Sequence, residues 1–257
     1  MNTLVCVKRV PATGARVTLT PDEQAIDARY LSFAVGPHEE CAIEAAVRIT
    51  EEHDGDVTVL TLGEADAVEQ LRYALAMGAH EMILLETEDD ADWGPMATAG
   101  AIVDAIREQQ ADGKTFDVLL FGNESADAGG FQVGVRVAYA LGLPVVTGVK
   151  GLEIGDGRAT ARREGSGGWE VYEVDLPAVF TVKEGINLPR YPSIPGKLRA
   201  RRRKPETITP NRSKEGLEKI RLKVPDLEKK HAQILGHGPE AAPKVVDILE
   251  ELGLLTS

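Results

Sequence analysis

The sequence predicts an α/β fold: a doubly wound, mainly parallel sheet with an antiparallel strand extension and a protruding C-terminal arm. Three observations predict it. Strand-like and helix-like patterns alternate from residue 4 to residue 146, as a parallel sheet with crossover helices requires. The strands are apolar throughout instead of alternating, as happens when helices cover both sheet faces. No apolar run approaches the roughly 20 residues needed to cross a bilayer, and the amino end opens straight into a strand pattern with no separate targeting segment expected.

The elements follow in order. Leu4-Val5-Cys6-Val7 is a short apolar strand. Residues 37–52 repeat Cys41, Ala42, Ala45, Ala46 and Ile49 at helical spacing, with carboxylates between them. Glu39-Glu40 and Glu51-Glu52 read as solvated helix faces. A strand at 57–62 ends at Gly63, and Leu71, Ala74 and Leu75 line one face of a helix at 65–77. Residues 82–85 form the next strand, and 95–110 a helix with Pro95 suited to its first turn. Strand 118–121 ends at Gly122, helix 130–141 follows, and Val145-Val146 opens another strand. The pieces 158–163, 169–175 and 178–182, parted by Gly-rich turns, predict antiparallel strands extending the sheet.

Beyond residue 182 the character changes. Pro189, Pro192, Pro195, Pro205 and Pro210 exclude a long helix and suggest an arm leaving the body. Residues 213–257 suggest two or three short helices, the last carrying an apolar stripe of Val245, Val246, Leu249 and Leu252. The chain thus divides into a body (1–182), an arm (183–212) and a helical extension (213–257) expected to dock on a core, its own or a partner subunit's.

Charge follows the same division. The 257 residues hold 29 Lys/Arg and 41 Asp/Glu, a net charge of −12. Residues 183–230 hold 15 and 6, a balance of +9, and the remainder 14 and 35, a balance of −21. The basic run is either a solvated face or a docking segment for an acidic protein. Nucleic acid is disfavoured, because no aromatic residues interleave with these charges. Two cysteines, Cys6 and Cys41, form neither a disulfide framework nor a four-Cys zinc site, and they fit a reducing cytoplasm. The five histidines are scattered without ligand spacing, so no metal is expected.

Ligands of doubly wound sheets bind outside the carboxyl ends of the strands. Four segments reach that edge: Cys6-Val7-Lys8, Gly36-Pro37-His38-Glu39, Leu62-Gly63 and the loop Gly122-Asn123-Glu124-Ser125-Ala126-Asp127-Ala128-Gly129-Gly130. In the last, a Gly-rich loop feeds a helix start, where free N–H groups favour an anion near Gly129, Gly130 and Phe131. It is neither a P-loop nor a Rossmann fingerprint. A tight turn with no ligand is the plainer reading of the loop alone. No catalytic constellation emerges.

Several motifs in order and spacing resemble the β subunit of electron transfer flavoprotein, the family that includes the FixA proteins. They are Val5-Cys6-Val7-Lys8-Arg9-Val10, Pro37 to Ala46, and Leu71-Arg72-Tyr73-Ala74-Leu75-Ala76-Met77-Gly78-Ala79. Further along come Arg163-Glu164-Gly165-Ser166-Gly167-Gly168-Trp169-Glu170, Leu176-Pro177-Ala178-Val179, and Asn187-Leu188-Pro189-Arg190-Tyr191-Pro192-Ser193-Ile194-Pro195. The resemblance runs to about Lys204. It implies an adenine nucleotide alpha hydrolase-like sheet and an electron-carrier subunit that is no enzyme by itself. It implies a heterodimer with an α subunit carrying FAD, electrons arriving from flavin dehydrogenases and leaving to a quinone oxidoreductase.

The resemblance also assigns residues. An adenine nucleotide, AMP or in electron-bifurcating relatives FAD, would be held by Cys6, Gly36, Pro37, His38, Glu39, Leu62, Gly122, Asn123, Glu124, Ser125, Ala126, Asp127, Ala128, Gly129, Gly130, Phe131, Gln132 and Val133. Partner recognition would fall to Ile194, with Pro189, Arg190 and Tyr191 beside it, and to Glu164. Gly36 in place of a common Asn, Val133 in place of a Thr and Ser166 in place of an acidic residue leave the choice between AMP and FAD open. A nucleotide-sensing or ATP-using α/β protein is the alternative from another class, but Lys8-Arg9-Val10-Pro11 stands where its Gly-rich loop would be.

Overall fold

The computed structural model describes residues 1–14, 16–88, 93–213, 219–225 and 234–255. The helical expectation over 213–257 therefore lies partly outside the described residues.

The first strand, β1 (Thr3–Val7), is followed by a two-stranded antiparallel ribbon of β2 (Arg9–Pro11) and β3 (Phe33–Val35). Helix α1 (Pro37–His53) starts with proline in its first turn, acidic Glu39 and Glu40 beside it and His53 in its last turn, an arrangement that complements the helix dipole. Next come β4 (Val57–Gly63), α2 (Val68–Met77), β5 (Glu81–Glu86), α3 (Pro95–Ala111) and β6 (Val118–Gly122). Helix α4 (Val133–Leu141) begins three residues later than its sequence pattern suggests, because Gly129 and Phe131 both adopt positive φ. β7 (Val145–Gly155), β8 (Arg158–Gly165), β9 (Gly168–Asp175) and β10 (Ala178–Val182) complete the body. A seven-residue helix α5 (Ile194–Ala200), β11 (Glu206–Ile208) and α6 (Ala242–Glu251) follow.

Nine strands form one sheet in the order β11-β5-β4-β1-β6-β10-β7-β8-β9. Pairings from β11 to β7 are parallel, and β7-β8-β9 are antiparallel. Successive residues along a strand enter opposite cores. Val5 and Leu120 join one cluster with α1 and α2, while Leu4 and Leu119 join another with α3 and α4. That two-sided burial explains why the strands read as continuous apolar runs.

Two expectations need correction. β10 is not an antiparallel extension: it runs parallel between β6 and β7, with all five residues buried. Its apolar Ala178-Val179-Phe180-Thr181-Val182 is the composition of a central strand. The arm does not simply leave the body. α5 packs on α2, and β11 adds a parallel edge strand to β5. β11 escapes sequence reading because three residues between Pro205 and Pro210 carry no period.

The chain passes from β1 through α1 to β4 and β5 on one side, then returns to β6 on the other. The topological switch point therefore lies between the carboxyl ends of β1 and β6, where such sheets form a crevice.

Candidate functional site

At that switch point the structure brings together the ends of β1 and β6 and the start of α1. Cys6, at the end of β1, is buried, and burial pushes its thiol pKa up. Its side chain joins the core on the α3 side of the sheet. Lys8, just beyond, reaches across to Asp127 at 2.6 and 2.8 Å. Burial raises the Asp127 pKa, but the hydrogen bonds and charge of Lys8, with help from Ser125, hold it below the usual carboxylate range.

Gly36 caps α1 in extended conformation, and Pro37 opens the helix. His38 links two loops: Nδ1 accepts from the Glu184 N–H at 2.8 Å, and Nε2 lies 3.6 Å from Glu124 Oε1. Glu39 is only 4% exposed, not a solvated face. Its carboxyl is tucked against Gly36 and Gly122, filling the space where a Cβ at either glycine would stand. One carboxyl oxygen, Oε2, has no hydrogen-bond partner. Burial pushes the Glu39 pKa up to about 7; Lys8 opposes this, and Asp127 and Glu40 add to it. Glu40 accepts from Tyr73 Oη at 2.8 Å, and Glu51 pairs with Arg190, so neither is merely solvated.

The loop after β6 is held at its start. Asn123 is buried, with its Oδ1 accepting from Thr181 Oγ1 at 2.8 Å; that hydroxyl accepts in turn from the Gly148 N–H. The Gly129 N–H closes a turn on the Ser125 carbonyl at 2.9 Å. Ala126, Ala128, Gly129, Gly130, Phe131 and Gln132 are exposed, and Val133 is half-buried. Gln132 makes no side-chain cap to α4, and the first N–H groups of a helix have no partner within it. Gly134 sets the helix tightly on the sheet: a Cβ there would stand 2.9 Å from Thr181 Cγ2. Leu62 is half-buried in β4 and packs on the α3 side. An anionic group fits the free start of α4, and the bare backbone at Gly130, with nothing within 4 Å of a Cβ, leaves room for close approach.

The second expected surface stands elsewhere on the body. Tyr191 and Ile194 are 95% and 77% exposed, and Leu188 and Leu198 are exposed beside them. Ser193 caps α5 by accepting from the Gly196 N–H at 3.0 Å, which places Ile194 as its first residue. Pro189 lies between Leu188 and Arg190. Arg190 turns inward: its fork bonds Glu44 at 2.8 and 3.2 Å and Glu51 at 2.7 and 2.9 Å. Glu164, on β8, pairs with Lys150 at 3.0 Å and lies opposite Trp169.

Sequence reading missed Glu44 and Thr181. Glu44 carried a usable signal, since it stands among Cys41, Ala42, Ala45 and Ala46 on the face expected to be buried. Thr181 carried none, being one hydroxyl in an apolar strand.

Residues 26–213 match the family model described as the electron transfer flavoprotein domain. The chain is 32% identical to the electron transfer flavoprotein subunit beta of Bacillus subtilis (strain 168), over 91% of this chain and 84% of that protein. It is 37% identical to the same-named subunit of Syntrophomonas wolfei, over 79% and 77% respectively. It is 36% identical to a caffeyl-CoA reductase-Etf complex subunit, CarD, of Acetobacterium woodii, over 76% and 73%.

Proposed function

The chain belongs to the electron transfer flavoprotein β-subunit family, and from that premise we propose that it is an electron-carrier subunit holding AMP at the crevice between β1 and β6. It pairs with an α subunit carrying FAD, takes electrons from flavin dehydrogenases and passes them toward a quinone-linked acceptor. When bound in the complex, FAD supplies the redox chemistry. This chain's residues bind, orient and select partners.

The observation that carries the reading is the loop Gly122–Val133, which runs from the switch point onto the uncapped start of α4. The phosphate sits at those N–H groups, and Lys8 offsets the negative loop residues Asp127 and Glu124. The base and ribose lie toward Cys6, Leu62 and the 36–39 turn. Ile194 and Tyr191 form the apolar contact for a dehydrogenase. Glu164 and the β8–β9 hairpin face the flavin-bearing partner, and the apolar stripe of α6, with none of its residues buried, docks on the same subunit.

Val133 favours a second reading, FAD in this chain, because it stands where AMP-binding relatives carry a Thr whose hydroxyl could bind the phosphate. Co-expression with the α subunit, followed by acid extraction and chromatography of released nucleotides, tests both. One FAD and one AMP per heterodimer is the expected result. Two FAD per heterodimer would establish the second reading, and a chain that recovers neither flavin nor partner would overturn both.

A further inference from the structure

The segment that displays Tyr191 and Ile194 is tied down by a buried charge. Glu44, on α1, is 2% exposed and receives four donors. Arg48 Nε lies at 2.6 Å, and Arg190 supplies its backbone N–H at 3.1 Å, Nε at 2.8 Å and Nη2 at 3.2 Å. Burial pushes the Glu44 carboxyl up, yet the bonds from Arg190 and Arg48 outweigh it and hold the pKa below its ordinary value. Glu51, two turns further along the same face of α1, takes the other edge of the Arg190 fork. Next to it, Asn187 Nδ2 donates to the Cys41 carbonyl at 2.9 Å and Arg48 to the Leu188 carbonyl at 3.3 Å. On the far side, Gly196 seats α5 on α2, where a Cβ would stand 2.8 Å from the Ala76 carbonyl oxygen.

Burying a carboxylate to hold a surface coil is a poor route to stability, since an apolar residue of that volume would pack without the cost of desolvation. What the carboxylate provides is geometry. A planar fork bonded at both edges, together with the backbone N–H of the same residue, permits one conformation of the chain at Arg190. The next residue is Tyr191, and Ile194 follows three further on.

We propose that Glu44 is a positioning residue for partner docking: through Arg190 it fixes the one conformation in which Tyr191 and Ile194 stand out together toward an apolar pocket on a dehydrogenase. The proposal rests on the docking reading of Ile194. A segment held in its bound form loses little entropy on association, so the clamp acts on encounter and not on electron transfer within the complex.

The test uses the assembled flavoprotein with a donor dehydrogenase. Glu44→Gln is expected to raise the KM for the flavoprotein about ten-fold, with kcat and bound nucleotide unchanged and with faster hydrogen exchange at the Arg190 amide. In an Ile194→Ala background the same change adds less than about two-fold, because the positioned contact is already gone. Arg190→Lys keeps the charge without the fork and should reproduce the rise, which covers the case in which Glu44→Gln does not fold. Faster Arg190 exchange with an unchanged KM overturns the proposal, as does a loss of bound nucleotide in step with the KM. If Ile194→Ala alone leaves the KM unchanged, the docking reading itself fails, and the clamp proposal fails with it.

Discussion

The Lys8 ammonium lies between the end of β1 and the loop after β6, 2.6 Å from one Asp127 oxygen and 2.8 Å from the other. His38 stands 3.6 Å from Glu124 on the same loop. With AMP placed as proposed, an acidic loop beside its phosphate needs such neutralisation. Lys8→Met should weaken AMP binding roughly five- to ten-fold, about 1 kcal/mol, given that Lys8 is half exposed to water. Lys8→Met combined with Asp127→Asn should recover most of it. Titration calorimetry measures both, and an unchanged Kd in Lys8→Met would remove Lys8 from the site.

Glu39 predicts a pH dependence. Its pKa is raised from 4.5 to about 7 by burial. The folded protein therefore holds an extra proton between these values, and stability falls as pH rises through that window. Above it the full penalty remains, on the order of 3 kcal/mol. Glu39→Gln should then raise Tm at pH 8 by several degrees and give almost no gain at pH 4.5, as read by calorimetry. A gain of equal size at both pH values would mean that Glu39 does not titrate there.

The two glycines against Glu39 give a packing prediction. A Cβ at Gly122 would stand 2.8 Å from the Glu39 Cδ and 2.9 Å from its Cγ, with the carboxyl buried and unable to swing into water. Gly122→Ala should cost about 1–3 kcal/mol by overpacking, measured by urea unfolding. The double variant Gly122→Ala, Glu39→Ala should regain part of that loss, and strict additivity of the two changes would show that they do not touch.

Much of this was legible in the sequence because the physics is periodic or local. Residues 37–52 announce α1 through helical spacing, and Gly122 marks the end of β6. The parallel position of β10 was not legible: a five-residue apolar strand says nothing of its neighbours, and its place between β6 and β7 is decided by the sheet. β11 was hidden by its length. The 36–39 turn and the loop after β6 could be nominated from composition, whereas the pairings that shape them (Lys8 with Asp127, Asn123 with Thr181) join residues 119 and 58 positions apart. Glu39 and Glu51 misled for one reason: a carboxylate on a helix reads as solvated until a partner or a tight wall is known.

Ile194 is 77% exposed in the free chain, so Ile194→Ala should alter folding stability by less than about 0.5 kcal/mol. Removing a side chain that enters an apolar pocket should nonetheless slow electron acceptance from a dehydrogenase about ten-fold at low flavoprotein concentration. Bound nucleotide should stay constant. Stopped-flow traces with the variant and the parent decide it; equal rates would leave Ile194 an incidental surface residue.

Gly129 and Gly130 separate backbone strain from ligand contact. Gly129 has φ +55°, and a Cβ there would meet only Glu124 Oε2, at an ordinary 3.6 Å. Gly129→Val thus fails through its backbone: a β-branched residue in the left-handed region costs about 1–2 kcal/mol or more, and the loop relaxes away from its present course. Gly130 has open space around it and carries no such penalty. Gly130→Ala should leave Tm unchanged, yet lower AMP affinity if the phosphate approaches the bare backbone at the start of α4. Loss of nucleotide in both variants, with loss of stability in the first alone, is the expected pattern. Full nucleotide content in Gly130→Ala would place the phosphate elsewhere along the crevice.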